Sequence, residues 1–396
     1  MRTPDVMEKV QAEVENHYRS EIVEKLSSRG LITIGNTTVR LAKQFGFCYG
    51  VERAIDLAYA ARRVFSDSRI FLIGEIIHNP EVNRQLKEMG IKNLVGPEKE
   101  CDVADLTVDD VVIVPAFGAN LTMMAAVKAR GCTIIDTTCG DVMSVWRRVK
   151  SYAQEGMTSI IHGKSAHEET EATSSRAVGA EKNGHYLVIL TLEDVDFVCG
   201  YIRHGGNKED FLKRFEGAYS DGFDPDVHLK RLGVANQTTM LKSETEELQR
   251  RLAKAVEDRD GGALAKKNFK FFDTICGATQ ERQDALFEML KFPMDMLLVV
   301  GGYNSSNTGH LVEIGERQLP SFFIRTAACL ESFDRILHYD LHDKTEKFSY
   351  VAKLAGPDPV TVGITAGASC PNNLIESTIL RIFEIRGVSA AEVHSA

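Results

Sequence analysis

At 396 residues, with 43% apolar and 26% charged side chains, the chain has the balance of an ordinary soluble protein of two or three domains. A formal net charge of -9 excludes a general electrostatic footprint for nucleic acid or anionic lipid, so any phosphate site must be local. No apolar run approaches the roughly 18–20 residues needed to cross a bilayer, and the polar stretch Met1 to Arg40 has neither a secretory core nor the acid-poor character of a transit peptide. A cytoplasmic protein is expected; a plastid protein already stripped of its transit peptide would read the same.

In chain order, residues 5–29 read as a polar helix with a weak apolar stripe, an extension lying on the body. Short β-rich runs then alternate with helical patterns. Strands are predicted at Ile70–Ile73, Val111–Pro115, Thr133–Asp136, Ser159–His162, Tyr186–Leu190, Met296–Val300 and Val360–Ile364. Helices are predicted at Val51–Phe65, Ser144–Glu155, Glu244–Glu257, Gln280–Lys291 and Leu374–Ile385. This alternation argues for α/β units with mainly parallel sheets. Asn183 to Val234 reads as a charged, Gly-rich region of insertions, 258–270 as an exposed excursion, and the residues from Gly387 as a tail. Six strands end in polar or small motifs, and ligands of open α/β sheets bind beyond such carboxyl ends.

Eight cysteines are scattered without a pairing pattern, which in a reducing compartment means core thiols, metal ligands or catalytic groups. Cys48, Cys139 and Cys276 share one context, each where a strand pattern hands over to a helix. A helix N-terminus favours thiolate through its dipole and its N–H groups, which suits metal ligation. No compact ferredoxin-like spacing is present, and no histidine completes a familiar zinc spacing. On the residues alone, buried structural cysteine, a three-cysteine zinc site and a three-thiolate iron–sulfur site all stay open. Three thiolates on a four-iron cluster would leave one iron open for substrate.

His78 and His167 each sit near a strand end with polar neighbours; singly, such a histidine is ordinarily structural. Asn304-Ser305-Ser306-Asn307 follows an apolar strand, and the same residues that cap a helix also bind phosphate at its start. Glu169, in His167-Glu168-Glu169-Thr170-Glu171, has the plain alternative of a solvated acidic first turn.

Eight motifs, in order from about Val39 to Ile385, resemble the 4-hydroxy-3-methylbut-2-enyl diphosphate reductase family, also called IspH or LytB. They are Phe47-Cys48-x-Gly50-Val51-x-Arg53-Ala54-Ile55, His78-Asn79-x-x-Val82, Asp136-Thr137-Thr138-Cys139, and His162-Gly163 with His167-Glu168-Glu169-Thr170. The others are Asn236-Gln237-Thr238-Thr239, Cys276-x-Ala278-Thr279-x-x-Arg282-Gln283, Asn304-Ser305-Ser306-Asn307 and Thr365-Ala366-Gly367-Ala368-Ser369. The N-terminal extension, Pro115-Ala116-Phe117-Gly118 and the run His162–Thr170 resemble the plant and cyanobacterial branch.

The resemblance implies three α/β domains arranged pseudo-three-fold around a central [4Fe-4S] cluster, with 1–38 as a helical extension. Their expected limits are 39–139, 140–272 and 273–386, with 387–396 as tail. It implies Cys48, Cys139 and Cys276 as cluster ligands, leaving one iron open, and core or surface roles for the other cysteines. His78, His167, Ser305, Ser306, Asn307 and Ser369 would bind the substrate diphosphate. Glu169 would be the proton source, relayed through Thr238. The implied reaction is reductive dehydroxylation of the allylic diphosphate to isopentenyl and dimethylallyl diphosphates, closing the methylerythritol phosphate route. Electrons would come from an external ferredoxin or flavodoxin, in keeping with the lack of a G-x-G-x-x-G dinucleotide fingerprint. Phe117 stands where many bacterial members have histidine, and Gly140 where proline is usual, which predicts a looser turn after Cys139. Two rivals remain: another hydroxyl-activating [4Fe-4S] reductase or dehydratase, and a non-catalytic iron–sulfur sensor or zinc protein. A sensor has no need of Glu169, Thr238 and the Asn304–Asn307 turn together.

Overall fold

The uninterrupted apolar runs become strands, because a parallel strand covered on both faces needs apolar side chains at every position. The computed structural model describes residues 3–179, 183–332, 334–352 and 356–396. Its strands are β1 (Leu31–Ile34), β2 (Thr37–Leu41), β3 (Ile70–Leu72), β4 (Ile91–Asn93), β5 (Val111–Val114), β6 (Thr133–Asp136), β7 (Thr158–His162) and β8 (Tyr186–Ile189). There follow β9 (Leu232–Asn236), β10 (Phe269–Phe271), β11 (Met296–Val300), β12 (Ser321–Ile324), β13 (Leu330–Ser332), β14 (Arg335–Asp340), β15 (Thr345–Tyr350) and β16 (Val360–Ala366). They form three sheets, in the orders β1-β2-β16-β11-β12-β14-β13 with β15 on β14, β10-β9-β7-β8, and β4-β3-β5-β6. The α/β class with mainly parallel sheets is therefore observed.

The chain divides into two compact units. One holds the chain up to Ile70, Glu75–Lys92 and Gly277–Ala396; the other holds Phe71–Gly74 and Asn93–Cys276.

In the first unit, β2, β16, β11 and β12 run parallel, with Val300 opposite Ala366. That register sets the ends of β11 and β16 side by side, so Gly301-Gly302 and Gly367-Ala368-Ser369 emerge from one edge. All of Met296–Val300 is buried, each side chain contributing about 1.5–3 kcal/mol. The predicted single helix over 5–29 is instead two, Pro4–Tyr18 and Glu21–Arg29. Arg19 takes an extended backbone, and Ser20 caps the second helix by accepting the Val23 N–H. Ile22, Val23 and Leu26 then join the main core. The first helix is fastened near the Cys48 loop, with Tyr18 edge-on to Phe47 at 5.4 Å. The β13–β15 meander was not anticipated, because β15 is largely exposed and carries no apolar alternation.

In the second unit, the β10-β9-β7-β8 sheet is wholly parallel. The region read as insertions is ordered by a core of its own, in which Phe211 is fully buried among Val198, Tyr201, Phe215 and Phe223. Its charge belongs to the outer faces of the helices Leu192–His204 and Lys208–Arg214. The expected excursion at 258–270 contains the helix Gly262–Asn268 and runs into the edge strand β10. Among the described residues, no helix is long and apolar enough to cross a membrane.

Candidate functional site

Three helices start directly behind the three singled-out cysteines. Tyr49–Val64 begins after Cys48, Gly140–Gln154 after Cys139 and Gly277–Leu290 after Cys276. Each helix starts two to four residues before its sequence-predicted position. Cys48 and Cys139 occupy the N-cap positions with extended backbone and make no side-chain cap bond. All three are half-buried, whereas Cys132, Cys199, Cys329 and Cys370 are buried. Burial pushes the Cys199 thiol up to about 11 and that of Cys370 higher still. Thiols that cannot ionise are poor metal ligands. The half-buried helix-start cysteines have the setting of thiolate ligands, and Cys199 and Cys370 do not. Cys370, next to the motif serine, is a core residue packed with Ile375 and Phe383.

In the first unit, backbone bonds tie Cys48 to the polar motifs. Cys48 N–H donates to Ala368 O (3.1 Å), and Ala368 N–H donates to Asn307 Oδ1 (3.0 Å). Asn307 Nδ2 donates to Thr279 Oγ1 (3.3 Å). Ser369 Oγ donates to His78 O (3.1 Å), and a Cβ on Gly302 would come within 2.4 Å of that carbonyl, so only glycine fits there. Ser305 caps the helix Ser306–Glu316. His78, Ser305, Ser306, Asn307 and Ser369 are all buried. They form one compact group with a helix N-terminus in it, an anion-binding arrangement. Sequence reading did not single out Glu75, whose Oε2 lies 3.1 Å from His78 Nδ1 and accepts from Asn304 Nδ2 (2.6 Å). Its three-residue spacing from His78 was the available signal. Arg282, six residues after Cys276 in the same motif, donates to Gly46 O (2.5 Å) and so braces the Cys48 loop.

In the second unit, His167 caps the helix Glu168–Val178, with Nδ1 accepting the Glu169 N–H at 3.2 Å. In the neutral ring this leaves the hydrogen on Nε2, a donor suited to an oxygen-rich anion. Glu169 is 3% exposed, not solvated as its acidic neighbours are. Its Oε1 accepts the Thr238 N–H (2.6 Å) and its Oε2 the Thr238 hydroxyl (3.0 Å). The parallel register of β7 and β9, with His162 opposite Asn236, brings together two loops distant in sequence. Cys276 N–H donates to Thr238 O (3.2 Å), so Glu169, Thr238 and Cys276 are linked in series. Cys139 N–H donates to Ala116 O (2.8 Å), and Phe117 stands edge-on to His167 at 6.5 Å. Where a histidine would add a polar contact, Phe117 supplies an apolar wall.

Gly140 does not make a loose turn; it is the first residue of its helix, outside the left-handed region. A Cβ there would meet nothing within 4 Å, and Cys139, at φ -63 and ψ 145, has the extended backbone that proline tolerates before it. Gly140→Pro is expected to raise the unfolding free energy of the apoprotein by about 0.4–1 kcal/mol. Urea unfolding checks this; a lower midpoint would mean that the Gly140 N–H has a structural partner.

Comparison with known proteins gives a consistent picture. The family model described as "LytB protein" matches residues 39–383. The chain is 44% identical over 385 residues to the 4-hydroxy-3-methylbut-2-enyl diphosphate reductase of Thermosynechococcus vestitus, covering 96% of this chain and 93% of that one. Its counterpart from Gloeobacter violaceus is 46% identical, covering 96% and 90%. A solved structure of (E)-4-hydroxy-3-methyl-but-2-enyl diphosphate reductase, the terminal enzyme of the non-mevalonate pathway, matches with a TM-score of 0.52 at 27% identity, covering 88% of this chain and 99% of that one. The reductase structure from Plasmodium falciparum matches with a TM-score of 0.62 at 22% identity, covering 86% of each chain, and shows the shared fold.

Proposed function

The chain belongs to the LytB protein family, and from that membership we propose that it reduces (E)-4-hydroxy-3-methylbut-2-enyl diphosphate to isopentenyl and dimethylallyl diphosphates, the last step of the methylerythritol phosphate route. Two electrons and two protons enter, a C–O bond gives way to a C–H bond, and water leaves. Cys48, Cys139 and Cys276 are the residues that would hold a [4Fe-4S] cluster. When bound, that cluster supplies electrons and a Lewis-acidic iron with an open position.

The chain's own residues divide the remaining work. His78, His167, Ser305, Ser306, Asn307 and Ser369 bind the diphosphate through imidazole, hydroxyl and amide groups, which suits a chain of net charge -9. Glu75 orients the His78 ring. Glu169 delivers a proton by way of Thr238. Its Oε1 is occupied by the Thr238 N–H, so a proton taken up by Glu169 sits on Oε2; the Thr238 hydroxyl then turns to accept it at Oγ1 and releases its own hydrogen onward. The single observation that carries this reading is the buried Glu169–Thr238 pair, one backbone hydrogen bond from Cys276. The electron donor is a separate ferredoxin or flavodoxin, and the working compartment is the cytoplasm, or a plastid stroma after removal of a transit peptide.

The test is anaerobic turnover with a reduced viologen as chemical donor, the allylic diphosphate being compared with other phosphorylated alcohols. Reductant consumption and formation of both diphosphate products only with the allylic substrate is the expected result. Equal turnover of the other alcohols would transfer the assignment to a different hydroxyl-activating reductase.

A further inference from the structure

Helix Glu168–Val178 carries its one basic residue, Arg176, two turns beyond Glu169 on the same face. Arg176 is the only residue in that helix with a guanidinium, and its Cζ lies over the indole of Trp146, the single tryptophan of the chain, 3.2 Å from the ring centroid. Its Nη1 donates to Ala172 O (2.7 Å) within the helix and to Ala119 O (2.8 Å) in the turn that follows β5. Burial lowers the proton affinity of this guanidinium to about 10, with Asp136 pulling the other way. A charge kept in such a place costs more than an apolar filler, and the two carbonyls and the ring offset that cost.

It holds the turn between Pro115 and Asn120. Gly118 sits there with φ 82, and a Cβ added to it would come within 2.3 Å of Trp146, so the turn lies directly against the indole. Ala116 O in the same turn accepts the Cys139 N–H, and Phe117 abuts His167, the cap of the Glu169 helix. A second tie, from Leu121 N–H to Ser175 Oγ (3.2 Å), runs parallel to the first. Trp146 itself stands on the helix that Cys139 caps.

We propose that Arg176 is a positioning residue: stacked on Trp146 and bonded to Ala119 O, it fixes the Pro115–Asn120 turn and through it the register between the Cys139 and Glu169 helix starts. The proposal rests on the reading that Cys139 and Glu169 belong to the working site. The broad guanidinium matters because it covers the indole while Nη1 alone serves both carbonyls; an ammonium could keep the hydrogen bonds but not that contact with the ring.

Two variants test it, Arg176→Leu and the milder Arg176→Lys, which keeps the charge and a donor nitrogen but cannot cover the indole in the same way. In the apoprotein, alkylation by iodoacetamide followed by mass spectrometry reads Cys139 and, as internal control, Cys276. The expected result for Arg176→Leu is about tenfold faster alkylation of Cys139 with Cys276 unchanged, because the turn opens locally. A shift in the emission of Trp146 accompanies it, and Arg176→Lys falls in between. In the iron-loaded enzyme, kcat per bound iron falls about tenfold while KM for the allylic diphosphate holds within about twofold. Wild-type alkylation and kcat in either folded variant, or an equal rise at both cysteines, would overturn the proposal. A wild type that binds iron poorly and turns nothing over would instead overturn the functional reading, and the alkylation arm would still decide whether Arg176 holds the Cys139 turn.

Discussion

Glu169→Gln is expected to keep the fold and a full complement of iron while lowering kcat by about 10²–10⁴-fold, the usual weight of a positioned general acid. Glutamine is nearly isosteric, and its carbonyl can still accept the Thr238 N–H that now binds Oε1. The amide nitrogen then faces Thr238 Oγ1, where Oε2 now accepts, and the hydrogen bond reverses direction. The threonine hydroxyl becomes an acceptor with no proton supply behind it. Because Glu169 holds no diphosphate oxygen in this account, KM is expected to stay within about twofold. Steady-state kinetics of the anaerobically purified variant, normalised to iron, check both statements. Normal turnover would remove Glu169 from the proton path.

The second large effect separates two kinds of cysteine. Cys139→Ser exchanges a half-buried thiol at a helix start for a hydroxyl, which is a far weaker iron ligand, and iron per chain is expected to fall steeply. Cys370→Ser is expected to retain its iron and lose stability instead. Cys370 is 0% exposed in a core with Ile375, Ile379 and Phe383, its Sγ 3.7 Å from Pro371 O, and a hydroxyl held at so stretched a distance costs about 1–3 kcal/mol. Iron content and the denaturant midpoint of both variants give the crossed pattern. Iron loss in Cys370→Ser at unchanged stability would contradict the division drawn from burial.

Much of the fold was legible where burial is two-sided. Met296–Val300 and Val111–Val114 are continuous apolar runs, and both are strands buried at every position. Elements with one wet face were not: β15 reads Thr-Glu-Lys-Phe-Ser-Tyr and meets β14 through polar and charged partners such as Ser349 with His338 and Lys347 with Asp340, and β9 lay hidden at the end of a charged region. Helix starts were placed late because cysteine offers no capping signal, so the pattern became visible only at the first apolar turn. For the site, the strand-to-helix setting of the three cysteines was readable directly. Glu169 was not, since an acidic first turn is ordinarily solvated; its burial depends on Thr238, which the pairing of β7 with β9 brings in from 69 residues away. Glu75 and Arg176 escaped notice for the same reason, their partners Asn304 and Trp146 being set by tertiary structure.

The most direct test of the central claim is the iron and acid-labile sulfide content of the wild-type protein purified without oxygen, read together with its visible spectrum. The account predicts about four irons and four sulfides per chain with broad thiolate-to-iron absorption. A colourless, well-folded protein that binds zinc or no metal would contradict it, leaving the α/β fold in place and the reductase assignment without its cofactor.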